Sequence, residues 1–351
     1  MSTTIKDIAE AAGVSSATVS NVLNNKHNVS EETRHKVQGI IEQMNYRPNA
    51  SAQRRLQQAD QKSIGLVVKE IHNPYFADVI VGAQSAASVR GYDLMVATTE
   101  GERAVENRMV QSFVSRDLSG LIINPLIDAQ ADLTHLFELK RRNIPFVMLE
   151  KVRGLPASLV DVDNVTAFKE ATTHLIGLGH KKIVHFTGPD YSMHSSERVE
   201  GFQQAFFESP LVFSDDYLVP AGARLEEGYR AGKAYFEDVV PDERPTAVAC
   251  YNDLVALGLM RALRECDIAV PREVSVLGFD DISFCDYAPV PLTSVRVPTQ
   301  KMGQTAVEVL IRHMESSDQQ TPEVVNLEAT LTVRASTAPV GSPPEAEAAA
   351  A

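Results

Sequence analysis

Cysteine is scarce in this chain: Cys250, Cys266 and Cys285 are the only three in 351 residues. They are too few and too scattered for a disulfide framework or a zinc site, and they read as small core hydrophobes. No apolar run approaches the ~18 residues that a membrane-spanning helix needs, which excludes an integral helical membrane protein. The opening residues, Met1 to Asp7, lack the apolar stretch of a secretory signal, so the expected location is the cytoplasm. Catalytic signatures are missing too: there is no Gly-x-Ser-x-Gly, no phosphate-binding loop and no His-Glu-x-x-His. Gly177 and Gly179 begin a dinucleotide-like loop, but Lys182 stands where its third glycine belongs, and a helix rather than a strand precedes it. His174 and His180 read as helix-end and structural histidines. No enzyme, no cofactor and no metal are expected.

Apolar residues make up 44% of the chain and charged residues 23%, an ordinary globular balance for about two domains of roughly 150 residues. The net charge of −13 is unevenly spread. Residues 1–62 carry eight Lys/Arg against six Asp/Glu, which leaves −15 on the rest. An acidic body repels phosphate backbones, so any nucleic-acid contact has to come from the first sixty residues.

Those sixty residues read as three short amphipathic helices. Ile5, Ile8, Ala9 and Ala12 share one face, and Thr4 with Asp7 resembles a capping box. Gly13-Val14 breaks the pattern, and Ser15 is placed to cap a second helix with Val19, Val22 and Leu23 inward. Ser30 caps a third, with Val37, Ile40, Ile41 and Met44 at helical spacing. Two helices about a glycine-containing turn followed by a third make a helix-turn-helix pattern, and periodicity leaves a small interaction module equally open. The string TIKDIAEAAGVSSATVSNVLNN from Thr4 to Asn25 resembles the opening of the lactose/galactose repressor (LacI/GalR) family of bacterial transcriptional regulators. So do VSEETR from Val29 to Arg34 and NYRPNA from Asn45 to Ala50.

That resemblance implies that Ser15–Asn24 is a recognition helix in a major groove of double-stranded operator DNA. Ser16, Ala17 and Asn21 would face base edges, while Thr4, Thr18, Ser20 and Arg34 would reach phosphates. Ser15, Asn24, Tyr46, Asn49 and Ala52 complete the implied DNA surface. The segment after Pro48 resembles the family's hinge, helical in the minor groove once two copies meet on DNA. A helix this short does not persist alone. Counting back from Ile64-Gly65 makes Leu56 the wedge between base steps, with Arg54 or Arg55 lining the minor groove.

From Ile64 onward, apolar runs alternate with helix-length segments. Strands are expected at 64–68, 93–97, 120–123, 145–149, 182–186, 246–250 and 274–278, and helices at 75–89, 165–178 and 254–265. This alternation indicates an α/β fold with parallel sheets covered on both faces, whose ligands sit beyond the C-terminal strand ends. Strings such as NPYF at Asn73, RVEGF at Arg198 and GFDDI at Gly278 resemble the family's core, which is periplasmic-binding-protein-like. The resemblance implies two parallel-sheet subdomains around a cleft, joined by three crossovers, expected near Val160, Val290 and Gln320.

The expected organisation is an all-α helix-turn-helix headpiece (1–48), a hinge (49–62) and the α/β core (63–336). The core divides into an N-subdomain of 63–160 and 291–320 and a C-subdomain of 161–290 and 321–336. A disordered tail is expected over 337–351. The resemblance places Tyr75 and Phe76 on one cleft wall and His194, Arg198, Asn252 and Asp280 on the other. An aromatic face with a cation, an amide and a carboxylate suits a polyhydroxylated ring, and so a sugar or sugar derivative, with a sugar acid or phosphate left open. Ala223 stands where purine-binding members place an aromatic, which argues against a nucleobase. Asp280 and Asp281 also form a carboxylate pair, but neighbours at a strand end point apart. The function implied is a repressor of carbohydrate genes that binds a palindromic operator as a homodimer under the control of that effector. A solute-binding receptor of the same core would carry a signal peptide and no helix-turn-helix.

Overall fold

The computed structural model describes residues 4–23, 29–44, 46, 62–127, 132–237, 239–316 and 321–341. The chain divides after Lys62 into two compact units. The first holds α1 (Ile5–Ala12), α2 (Ser16–Leu23) and α3 (Glu31–Gln43). Each starts where a hydroxyl satisfies an otherwise unpaired amide. Thr4 accepts from the Asp7 N–H while the Asp7 carboxylate accepts from Thr4 N–H at 2.8 Å, a complete capping box. Gly13, at φ 65°, turns the chain out of α1, a conformation that a Cβ would strain. Ser15 Oγ accepts from Thr18 N–H at 3.1 Å and Ser30 Oγ from Thr33 N–H at 3.3 Å. Ile8, Ala9, Ala12, Val19, Val22 and Val37 bury together as the centre of this unit.

The second unit contains two sheets. The first subdomain is built from β1 (Lys62–Val68), α4 (Pro74–Val89), β2 (Tyr92–Thr98), α5 (Arg103–Ser115), β3 (Gly120–Ile123), α6 (Thr134–Arg141), β4 (Phe146–Met148) and β5 (Ser158–Val162). The chain then crosses into α7 (Asn164–Gly177), β6 (Ile183–Thr187), α8 (Met193–Phe207), β7 (Leu218–Pro220), α9 (Leu225–Glu237), β8 (Ala247–Cys250), α10 (Asp253–Glu265), β9 (Ser275–Asp280) and β10 (Thr293–Arg296). It returns through α11 (Thr299–Glu315) to β11 (Val324–Leu327) of the first sheet and ends in β12 (Thr330–Thr332) of the second. The sheet orders are β11-β5-β4-β3-β1-β2 and β12-β10-β9-β8-β6-β7. β10 pairs in parallel with β9, whereas β12 runs antiparallel to β10. Burial on both faces explains the unbroken apolar strands, such as Gly120–Ile123 and Ala247–Cys250.

The first crossover follows Val162, close to the expected Val160, but the other two follow Arg296 and Leu327 rather than lying near Val290 and Gln320. The register of β10, Val295 opposite Phe279, keeps 293–296 in the second sheet. Pairing of Val325 with Val160 keeps 324–327 in the first. Thus α11 and β11 belong to the first subdomain, and only the segment from Thr330 returns to the second. The tail also needs correction up to Gly341. Thr337 is buried with its Oγ1 3.0 Å from Thr293 Oγ1, and Val340 N–H donates to Leu178 O at 3.1 Å. Residues 342–351 lie outside the described residues. Cys250 and Cys285 are buried and Cys266 half-buried, all three as free thiols.

Candidate functional site

In the helical unit, Ser15, Ser16 and Ala17 stand exposed at the start of α2, and Thr18, Ser20 and Asn21 are half-buried along it. Val19 and Val22 point inward. The helix therefore offers a face of small polar side chains that its own packing does not require. Thr4 is exposed at the first cap, while Arg34 on α3 and Tyr46 are half-buried. Asn24, Asn49, Ala52, Arg54, Arg55 and Leu56 lie outside the described residues.

In the two-sheet unit, Tyr75, Phe76, His194, Arg198, Asn252 and Asp280 all line one cavity at the C-terminal ends of the strands. Tyr75 and Phe76 open α4, with ring centroids 5.0 Å apart and planes at 84°. Asn73 caps that helix by accepting from Tyr75 N–H at 3.0 Å, which fixes both rings at the mouth. His194 and Arg198 lie four residues apart on α8, and so on one face. Asn252 caps α10, accepting from Val255 N–H at 2.9 Å, and its amide N–H donates to Ala223 O at 2.8 Å.

Arg198 is 4% exposed, and nearby groups fix its plane. Its Nε and Nη2 donate to Asn164 Oδ1 at 3.2 Å each, and Nη1 donates to Tyr251 O. The guanidinium lies 3.7 Å from the Phe279 ring centroid and 4.7 Å from that of Tyr251. Asp280 Oδ1 is 3.8 Å from Nη2.

Asp280 sits at φ 111° and Asp281 at φ 56°, both in the left-handed half of backbone space. Asp253, fully buried beneath them, holds this turn. It accepts from Ile282 N–H at 2.8 Å and from Ser294 Oγ at 2.6 Å, and Ser294 Oγ in turn accepts from Asp281 N–H. The Asp281 carboxylate faces away from the cleft, paired with Arg296 and Arg334 at 2.7 Å each. The two neighbouring aspartates therefore have separate roles, one lining the cavity and one anchoring the turn. Burial pushes the Asp280 carboxyl up to about 6, although Arg198 and the Asn73 amide pull against it. Burial, helped by the nearby Asp280 charge, pushes Asp253 up to about 8.

Sequence reasoning missed the charged floor of this cavity. Lys69 pairs with the fully buried Glu150. Lys69 Nζ also donates to Ser192 Oγ at 3.2 Å, and Ser192 Oγ donates to Glu150 Oε1 at 3.0 Å. The Met193 amide donates to the same carboxylate. Burial alone would raise the Glu150 carboxyl, but Lys69 and His194 hold it below the usual range. His194 Nε2 is 2.9 Å from Asp161 Oδ2, so this histidine is a buried partner of carboxylates rather than a surface loop residue. Burial would lower its pKa, yet Asp161 and Glu150 raise it. At the mouth, Arg224 Nε donates to Glu70 Oε2 at 3.0 Å, and Arg224 Nη2 lies 3.5 Å from Glu100 Oε2. Asn124 Oδ1 is buried in the lining without a hydrogen-bond donor. Lys69, Asn124, Glu150 and Tyr251 immediately follow strands or lie at most two residues beyond them, so reading each strand's exit would have found them.

Residues 4–49 match the family described as bacterial regulatory proteins, lacI family, and residues 172–337 match the periplasmic binding protein-like domain. The HTH-type transcriptional repressor PurR of Photobacterium profundum is 31% identical over 316 residues, 90% of this chain and 93% of that protein. The chain belongs to the LacI family. Among solved structures, the complex of the transcriptional regulator CelR with cellobiose has 28% identity and a TM-score of 0.70, covering 95% of this chain and 99% of that one. The lac repressor dimer bound to operator and the anti-inducer ONPF has 25% identity and a TM-score of 0.72, covering 96% and 100%. This LacI-family chain is therefore a DNA-binding transcriptional regulator, and its named relatives are transcriptional repressors or regulators rather than enzymes. No described helix is long and apolar enough to cross a membrane.

Proposed function

We propose that this LacI-family chain is a homodimeric repressor of carbohydrate genes, released from or held on a palindromic operator by a sugar that binds between its two subdomains. The observation that carries this reading is the convergence of Tyr75, Phe76, His194, Arg198, Asn252 and Asp280, spread over 206 positions of sequence, on one cavity. Aromatic faces stack on the apolar side of a ring, while a guanidinium fork and a carboxylate grip neighbouring hydroxyls. The CelR complex, whose ligand is cellobiose, supports the same chemistry.

The side chains leave only about 40 Å³ free in this pose, room for a few waters at most. A sugar enters only as the walls part, displacing hydrogen bonds such as Lys69 to Ser192. Ligand binding is thereby tied to subdomain pose, which is what control of operator affinity requires. The DNA surface of the proposal is the exposed start of α2 with Thr4 and Arg34, followed by Leu56 as the minor-groove wedge. A second copy fits the apolar groove lined by Leu257, Met260, Phe284 and Tyr287, where Tyr287 is 86% exposed.

The test is operator binding with and without sugars identified by a thermal-shift screen. Arg198→Ala, Asp280→Ala and the milder Asp280→Asn should abolish the sugar's effect while leaving operator affinity within about threefold. If all three still responded to the sugar, the cleft assignment would be wrong. Sedimentation should return a dimer that Tyr287→Asp splits.

A further inference from the structure

The charges around the cleft are unbalanced in a way that bears on the ligand. Four groups able to carry positive charge reach it: Lys69, His194, Arg198 and Arg224. Each already faces a carboxylate. Lys69 pairs with Glu150, His194 with Asp161 and Glu150, Arg198 with Asp280, and Arg224 with Glu70 and Glu100. Glu197, half-buried on α8, adds a sixth carboxylate, held by a 3.1 Å hydrogen bond from Asn164 Nδ2. Turning Lys69 toward a ligand anion would leave Glu150, which has no solvent exposure, with only the more distant His194 as a cationic partner, an unfavourable exchange. Arg198 cannot swing out either, because its fork is bound to Asn164 and to Tyr251 O between two aromatic faces.

The unmet hydrogen-bonding capacity points the same way. Asn124 Oδ1 is a buried acceptor with no donor, and Glu70 and Asp280 are acceptors at opposite walls. Burial raises the carboxyls of Glu70, Glu197 and Asp280 above their ordinary values despite the adjacent cations, and neighbouring carboxylates add to the rise. The cations that reach the site are thus committed to carboxylates, and Asn124 Oδ1 is a spare acceptor for a hydroxyl.

We infer that the cleft selects an uncharged, hydroxyl-rich ligand and excludes the acid or phosphate of the same sugar. This rests on the carbohydrate reading of the cleft and adds the charge class to it. A ligand hydroxyl donates to Asp280, Glu70 or Asn124 without removing any cation from its partner. A phosphate or carboxylate at the same place would stand against those oxygens.

The experiment is calorimetric titration of matched pairs into the full chain: ribose and ribose 5-phosphate, glucose and glucose 6-phosphate, cellobiose and cellobionate. For any pair that binds, the anionic member should be at least about 100-fold weaker, the size of a like-charge mismatch. Glu70→Gln, which removes one carboxylate from the mouth and leaves Arg224 with Glu100 alone, should narrow that gap about tenfold. An anionic member binding within threefold of its neutral partner, or binding alone, overturns the inference. If no pair binds, the carbohydrate reading falls, and inorganic phosphate then tests charge exclusion by itself. No phosphate-dependent rise in Tm should be seen, and a rise abolished by Arg198→Lys overturns exclusion.

Discussion

The helical unit and the two-sheet unit place their polar side chains in opposite ways. Among the described residues of the first, every buried side chain is apolar, and the hydroxyls and amides of α2 stand at or near the surface. The second buries Lys69, Glu150, Asp161, Arg198, Asp253 and Asp280. On the first, exposed positions such as Ser16 and Ala17 can change without disturbing the core. The other combines stability and recognition in the same charged groups, so the cleft cannot be altered without loosening the fold.

Removing a cleft charge gives the largest expected contrast. Glu150→Ala leaves Lys69 partnered only by Ser192 and should cost the two-sheet unit about 3–5 kcal/mol, read as a fall in its Tm. Ser16→Ala on the exposed face of α2 should change stability by less than about 0.5 kcal/mol while weakening operator binding. Equal stability losses from the two would erase the contrast.

pH should separate the units next. Asp253 holds its proton up to about 8 when folded but loses it near 4 when unfolded, so its contribution to stability falls as pH rises through that window. His194, raised by Asp161 and Glu150, acts with the same sign: its contribution is present below its ordinary pKa and is lost as pH climbs through the raised one. The Tm of the two-sheet unit should therefore decline from pH 5 to 8, and Asp253→Asn should remove a large part of that decline. A variant whose decline matched wild type would remove Asp253 as the cause.

At the DNA surface, an asparagine pairs bidentately with adenine and an arginine with guanine. Selection from a randomised operator pool should return adenine opposite Asn21, by about 1–3 kcal/mol over guanine, and Asn21→Arg should reverse the choice with no change in Tm. The smallest effect is expected at the first cap. Thr4→Ala should cost the helical unit about 1 kcal/mol and leave unfolding of the two-sheet unit unchanged.

The same contrast governs what could be read from sequence. The headpiece was legible because its signals are local: Thr4 with Asp7, Gly13 and Ser15 act within a few residues of one another. The strands of the body were legible for a similar reason, since burial on both faces leaves an apolar run. The crossovers were not, because whether 293–296 stays in the second sheet is decided by pairing with Phe279, and no local pattern carries that choice. The start of the tail was misjudged because Thr337 and Val340 look solvated until their partners Thr293 and Leu178 are in place. The six cleft residues came from family resemblance, while Lys69, Asn124 and Glu150 required knowing that successive parallel strands end at one edge.

The division of labour between the two units is tested most directly by one titration series. Labelled operator, selected from a random pool, is titrated with wild type, Asn21→Ala and Asp280→Asn, each with and without the best neutral sugar. Asp280→Asn should bind operator like wild type and ignore the sugar, whereas Asn21→Ala should bind operator weakly and still bind the sugar with wild-type affinity. An Asp280→Asn protein whose operator affinity still moved with sugar as in wild type would contradict the account.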